Sequence, residues 1–435
     1  MKPKGLLIAV VLLAVLGGLV WWSNKSQADK AKAPATDAVT KLLTIPDDQF
    51  QEIKILKVTG ELLSLKRENG KWRMTAPQAL PADQDAAGSL VSTLANLNAD
   101  KVIEEKAADL RPYGLDRPTL DVQIVRKDGK TDHLLIGDDT LNGSGAYAKL
   151  ANDAKVVTVG TTTKTSLDKR PDDLRDKRLL TFDSDKLSRV ELAAKGPAIE
   201  FGKNGQNEWQ IVKPRPLRAD GSAVDGLVTK LKDAKMDLSE TDAVKKFAAA
   251  AKVATVTATD AGGTQTIDVR RDKDKNVFAK SSAVDGIYKI NADLADALEK
   301  SVDDFRNKKL FDFGFSDPSK VEVQGKGYTK AGDKWTANGK TMDNSTVQNL
   351  IDKLRDLAAT KFAEKGGGEP IVVASVVSNS GKRTEKVSIS RQGTQYFAQR
   401  DGEPSIYELD AKIVEDLQKA AADVKEAAPE QTKKK

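Results

Sequence analysis

The chain has 435 residues, with 70 Lys and Arg against 64 Asp and Glu, one His and no Cys. That length is enough for several buried cores; the missing Cys excludes disulfides, thiolate nucleophiles, Cys-ligated metals and lipoprotein attachment, and the single His excludes His-rich metal sites. The two ends, 1–40 and 429–435, hold eight of the basic and three of the acidic residues, so all but one unit of the net charge of +6 belongs to the tails. The near-neutral remainder has no basic run of the kind that displaces counterions from nucleic acid, which excludes it as a partner.

Residues 1–4 carry Lys2 and Lys4, and 5–22 read GLLIAVVLLAVLGGLVWW without a charge. Eighteen helical residues rise about 27 Å, close to the hydrocarbon thickness of a bilayer. The preceding lysines and the closing Trp21 and Trp22 suit a cytoplasmic start and an interfacial aromatic belt. The sequence therefore predicts a single membrane helix at 5–22 after a cytoplasmic start at 1–4. It places the protein in the inner membrane with its bulk periplasmic. A cleaved signal peptide is the competing reading, with Ser26-Gln27-Ala28 a poor cleavage site. Both readings put the rest of the chain outside the cytoplasm. Residues 23–40 are polar and rich in Ala and Lys, as a tether is.

Beyond the tether the chain repeats itself. Trp72, Trp209 and Trp335 each follow a strand-like segment and a polar turn: Asn69-Gly70, Asn204-Gly205 and Gly332-Asp333. Gly and Asn tolerate the positive φ that tight hairpins demand. After each Trp comes an Asp (Asp83, Asp220, Asp343) opening an apolar stripe of helical period. The stripes are Leu90, Val91, Leu94, Leu97; then Leu227, Val228, Leu231, Ala234; then Leu350, Ile351, Leu354, Leu357. A side-chain oxygen at that place accepts from first-turn amides, so all three Asp read as N-caps. Alternating strands and a short helix complete each copy, with strands near 120–125, 133–136, 146–150 and 156–159 in the first.

The seams match as well. Residues 172–182 (DDLRDKRLLTF) and 303–313 (DDFRNKKLFDF) share one pattern, read as a joint that buries its Leu and Phe while Arg175 and Arg306 meet nearby carboxylates. The predicted class is α+β: a transmembrane helix followed by three modules of antiparallel hairpins and meanders packed with amphipathic helices. The modules are placed at 41–185, 186–316 and 317–425, with a polar tail at 426–435. Tyr113-Gly114-Leu115-Asp116-Arg117-Pro118 and Phe313-Gly314-Phe315-Ser316-Asp317-Pro318 form a fainter echo.

Motifs that mimic chemistry fail on spacing. Gly129-Lys130-Thr131 and Gly339-Lys340-Thr341 lack the upstream Gly of a phosphate loop, so no nucleotide is expected on this chain. The run Asp272-Lys273-Asp274-Lys275-Asn276 has Val277 and Ala283 where a calcium loop needs Gly and Glu. His133 has no nucleophile partner by motif. No catalytic, cofactor or metal residue is assigned.

The hairpin ending Asn69-Gly70-Lys71-Trp72, with Pro77, Asp83, Tyr113 to Pro118, Ile136-Gly137, Tyr147-Ala148 and the 172–182 joint, resembles a bacterial family known as domain of unknown function 4340. Lys340 departs from the Pro seen at 77 and 214. The resemblance implies a companion of ABC transporters of the gliding-motility or auxiliary-transport type, with permease and auxiliary subunits as protein partners. It implies no catalytic residues and no cofactor. The expected function is a non-enzymatic extracytoplasmic scaffold anchored in the inner membrane. The rival readings are a glycan- or peptidoglycan-binding envelope protein, which requires exposed aromatic platforms, and a carboxylate-dependent hydrolase, which requires an acidic cleft.

Overall fold

The computed structural model describes residues 40–313 and 318–428. The chain falls into two compact units, one up to Lys177 and one from Arg178. The first unit is built on a nine-stranded antiparallel sheet and the second on sheets of eight and nine strands.

In the first unit the strands lie in the order Leu80–Pro81, Lys71–Ala76, Leu62–Glu68, Phe50–Lys57, Leu120–Arg126, Thr131–Asp139, Gly145–Leu150, Val156–Gly160, Lys101–Glu104. The hairpin half and the meander half therefore form one sheet. Their seam is Phe50–Lys57 against Leu120–Arg126, with Ile53 opposite Ile124 and Ile55 opposite Val122. Period-two burial explains the pairing: Ile53, Ile55, Val122 and Ile124 point into one core with Trp72 and Met74.

The second unit repeats the plan. Its first sheet runs Leu217–Arg218, Trp209–Lys213, Ile199–Lys203, Arg189–Ala193, Ala251–Asp260, Gly263–Arg271, Val277–Ser281, Ile287–Ile290. The other runs Lys340–Thr341, Lys334–Ala337, Lys326–Ala331, Lys320–Val323, Pro370–Ser378, Arg383–Gln392, Gln395–Arg400, Ile406–Leu409, Lys361–Ala363. In the eight-stranded sheet the counterpart of Lys101–Glu104 and Lys361–Ala363 shrinks to a single bridge, Asp237 with Lys289. There the chain instead forms the helix Ala243–Ala249, whose Phe247 packs with Phe278 and Ile287.

A capped helix packs on each sheet: Gln84–Ala95, Gly221–Lys232 and Asn344–Arg355, each sharing its core with a later helix such as Ala411–Ala422 of the third module. Each buries the stripe read from the sequence, down to Leu94, Leu231 and Leu354. Every such side chain removed from water contributes roughly 1.5–3 kcal/mol. The last stripe positions, Leu97, Ala234 and Leu357, are buried just beyond the helix ends.

The expected fold class needs correction. The described residues are mostly antiparallel β, not α+β: the helices are few and short beside three large sheets. Local hairpins and meanders were legible, but joining them into one sheet depends on pairing between strands some seventy positions apart, as between Ile53 and Ile124, which no local pattern encodes. Among the described residues no helix is long and apolar enough to cross a membrane, so the predicted transmembrane helix finds no support. Residues 5–22, from which it was read, lie outside the described residues, as do 1–4, the tether up to 39, Gly314 to Asp317 of the fainter echo, and 429–435.

Candidate functional site

The three Asp do what their position implies. Asp83 accepts from the amides of Asp85 and Ala86, Asp220 from Ala223, and Asp343 from Ser345 and Thr346. Each also donates its own N–H to the chain that closes its module: Asp83 to Leu174 O at 2.8 Å, Asp220 to Phe305 O at 2.8 Å, Asp343 to Lys425 O at 2.9 Å. The neighbouring bridges match too, Ala82 with Arg175, Ala219 with Arg306 and Met342 with Glu426. The third closure has no counterpart of the joint motif in its sequence. Main-chain pairing needs no particular side chains, so the start of the expected polar tail continues the fold through Ala427, whose N–H reaches Thr341 O.

The three indoles are core, with Trp72 5%, Trp209 8% and Trp335 4% exposed. Their main chains are held differently. Each Trp sits beside the hydrogen-bonded pair that closes its hairpin, so its N–H and C=O point away from the hairpin partner, toward the cap of the helix. In the first module Gln84, the residue after the cap, places a carboxamide there. Trp72 N–H donates to Gln84 Oε1 at 2.8 Å, and Gln84 Nε2 donates to Trp72 O at 2.9 Å. In the third module Trp335 N–H donates to Asn344 Oδ1 at 3.2 Å, and Asn344 Nδ2 donates to Asp333 O at 2.8 Å. The second module has Gly221 at this position, and a Cβ built there would meet nothing within 4 Å.

A cleft of about 470 Å³ opens at that spot, lined by Trp209 and Gly221 together with Lys203, Glu208, Arg218 and Arg383. Trp209 is anchored by its indole instead: Nε1 donates to Asp225 Oδ1 at 2.7 Å, and Lys203 Nζ stands 5.0 Å over the ring. Arg383 donates to Glu208 Oε1 at 2.7 Å and to Asp312 O at 3.0 Å. That pairing holds the Glu208 carboxyl below the usual range.

Beside the cleft a charged network ties the two sheets of the second unit together. Arg218 Nη2 meets Asp312 Oδ1 at 2.6 Å, and its Nη1 donates to Lys309 O at 2.9 Å. Arg400 Nε donates to Glu403 Oε1 at 2.8 Å and its Nη2 to Glu385 Oε1 at 3.1 Å, while Tyr407 Oη donates to Glu403 Oε2 at 2.9 Å. Burial works against the Arg218 charge, yet Asp312, Tyr407 and Glu403 hold its pKa above the usual value. Burial raises Glu385 and pushes the Tyr407 hydroxyl up to about 12. Arg306 of the joint pairs with Asp303 at 2.9 Å, donates to Ser405 Oγ at 2.9 Å and stacks 3.3 Å over the Phe362 ring. Leu310, Phe311 and Phe313 enter the third core.

The other motifs are turns and strand contacts. Asp272 accepts from the Asn276 amide at a hairpin turn, and His133 Nε2 lies 2.6 Å from Asp121 Oδ1 on the neighbouring strand. Among the described residues no group of three or more His, Asp or Glu is placed to hold a metal. Sequence reasoning missed the Gln84, Gly221, Asn344 position and the Arg218 network. The first was visible in the repeat alignment as the residue after each cap; the second has no local signal.

Fold and site together define a tandem-repeat β protein whose modules differ at one interior contact. The model of the family described as Domain of unknown function (DUF4340) matches residues 72–208 and again 209–374. These matches span more than half of the chain, which therefore belongs to this family. Each match begins on a module Trp, so the repeat is counted from the indole strand. Comparison with curated proteins and with solved structures found no match.

Proposed function

We propose that this protein is a non-enzymatic accessory subunit, working on the outer side of the cytoplasmic membrane as a scaffold for components of an ABC-type transport system. The observation that carries the reading is how the repeated polar groups are used. Asp83, Asp220 and Asp343 cap helices and close modules, and Arg218, Asp312, Arg400 and Glu403 hold two sheets in one unit. Such groups build a stiff support rather than a reaction centre. The resemblance that named transporter companions supports the choice of partner. The buried state of Trp72, Trp209 and Trp335 weighs against aromatic platforms for glycan.

The test is cross-linking in intact cells followed by purification of the tagged full-length chain. The reading expects permease or auxiliary transport subunits as specific cross-linked partners, with the chain retained in the membrane fraction and exposed to external protease in spheroplasts. Recovery of envelope polysaccharide and no transport subunit would overturn it.

A further inference from the structure

The three modules serve as controls for one another. Where the first and third modules insert a Gln or Asn carboxamide beside the indole strand, the second has Gly221, open space and a cleft of about 470 Å³. From this we infer that the cleft at Trp209 is a binding site for a primary carboxamide, delivered by the Gln or Asn side chain of an extended peptide.

Three observations argue for that ligand. The first is geometric. A primary carboxamide presents an acceptor and a donor side by side, which is how Gln84 meets both Trp72 N–H and Trp72 O. Trp209 stands at the same place in its hairpin, opposite Lys203 and next to the closing Asn204–Glu208 pair, and lines the cleft together with Gly221. The second is electrostatic. The cations Lys203, Arg218 and Arg383 face the acids Glu208, Asp225 and Asp312 around the cleft, and Arg218 and Arg383 are already engaged by Asp312 and Glu208. A balanced wall selects a neutral polar group over an anion. The third is size. The cleft is far larger than one carboxamide and falls within the range of ligand pockets, roughly 300–1,000 Å³. That leaves room for the residues flanking the inserted side chain, in the manner of a peptide laid along a strand edge.

This inference is independent of the transport reading and is tested on the purified full-length chain. The probes are the tripeptides Ser-Gln-Ser, Ser-Asn-Ser and Ser-Glu-Ser, each capped by acetyl and N-methylamide so that no terminal carboxamide competes, and free glutamine. Binding is followed by ligand-observed NMR. The Gln or Asn peptide is expected to bind at least about tenfold more tightly than the Glu peptide or free glutamine, because a site built to hydrogen-bond an amide leaves its own groups unpaired against other ligands. Gly221→Gln fills the site from within. It is expected to lose at least about tenfold in peptide binding while melting no lower than the parent, and Gly221→Ala is expected to bind within about threefold of the parent. Equal binding of the Gln, Asn and Glu peptides, no peptide binding at millimolar concentration, free glutamine binding as well as the peptides, undiminished binding by Gly221→Gln, or a lower melting temperature for that variant would each overturn the inference.

Discussion

Gly137 shows how a sequence motif turns into a steric requirement. A Cβ at this position would lie 2.1 Å from Tyr113 O, so the turn through Tyr113, Gly114 and Leu115 rests directly on the strand at Gly137. Gly114 has φ +62° and would clash with the Asp138 carboxylate if it carried a side chain. Tyr113-Gly114-Leu115 and Ile136-Gly137 were legible as separate features; their contact was not, since it joins positions distant in the chain. Gly137→Ala should destabilise the first unit by about 2–3 kcal/mol, read from chemical denaturation, because backbone cannot yield as a flexible side chain does. A loss below about 0.5 kcal/mol would contradict the packing described.

Glu385 gives a pH prediction at the same scale. Burial raises its pKa above the ordinary 4.5, against the Asp312 amide and Arg400, which pull it down. Its contribution to stability is fully present below that ordinary value and is lost as pH rises through the folded pKa. Glu385→Gln keeps an acceptor for the Asp312 amide and cannot ionise. The melting temperature of the variant relative to the parent should therefore climb between about pH 4 and pH 8. A difference that is constant with pH, or falls, would refute the sign.

At the level of elements, the hairpin, Trp and capped helix were readable because each rests on local chemistry: turn residues, period-two burial and an Asp before an apolar stripe. The Arg218 contact was not readable. It stands where the first module has Pro81 and the third has Thr341, at the end of a two-residue edge strand, and its partners are Asp312 of the joint that enters the third core and Glu403 of the third module. Its guanidinium is mostly buried, so Arg218→Ala takes from Asp312 its 2.6 Å cation partner, leaves Glu403 with Arg400 alone, and should cost about 3 kcal/mol in the second unit. Arg218→Lys should recover little, since a point charge cannot reproduce the forked contacts to Asp312 and Lys309 O. Urea unfolding followed by circular dichroism measures both variants; full stability of Arg218→Ala would remove the network from the account.

For the whole molecule, the account makes the chain a tandem copy of one folding unit, each copy closed by the same main-chain contact at its cap Asp. Composition excluded most chemistry, and repeat spacing exposed the copying. The third closure at Lys425 and the merging of hairpin and meander into single sheets emerge only in three dimensions. The most direct test is native-state hydrogen exchange at the amides of Asp83, Asp220 and Asp343, resolved by NMR or by overlapping peptides. The account predicts slow exchange at all three, Asp343 included. Exchange at any one of them as fast as in an exposed loop would contradict a threefold repeat of the same closed module.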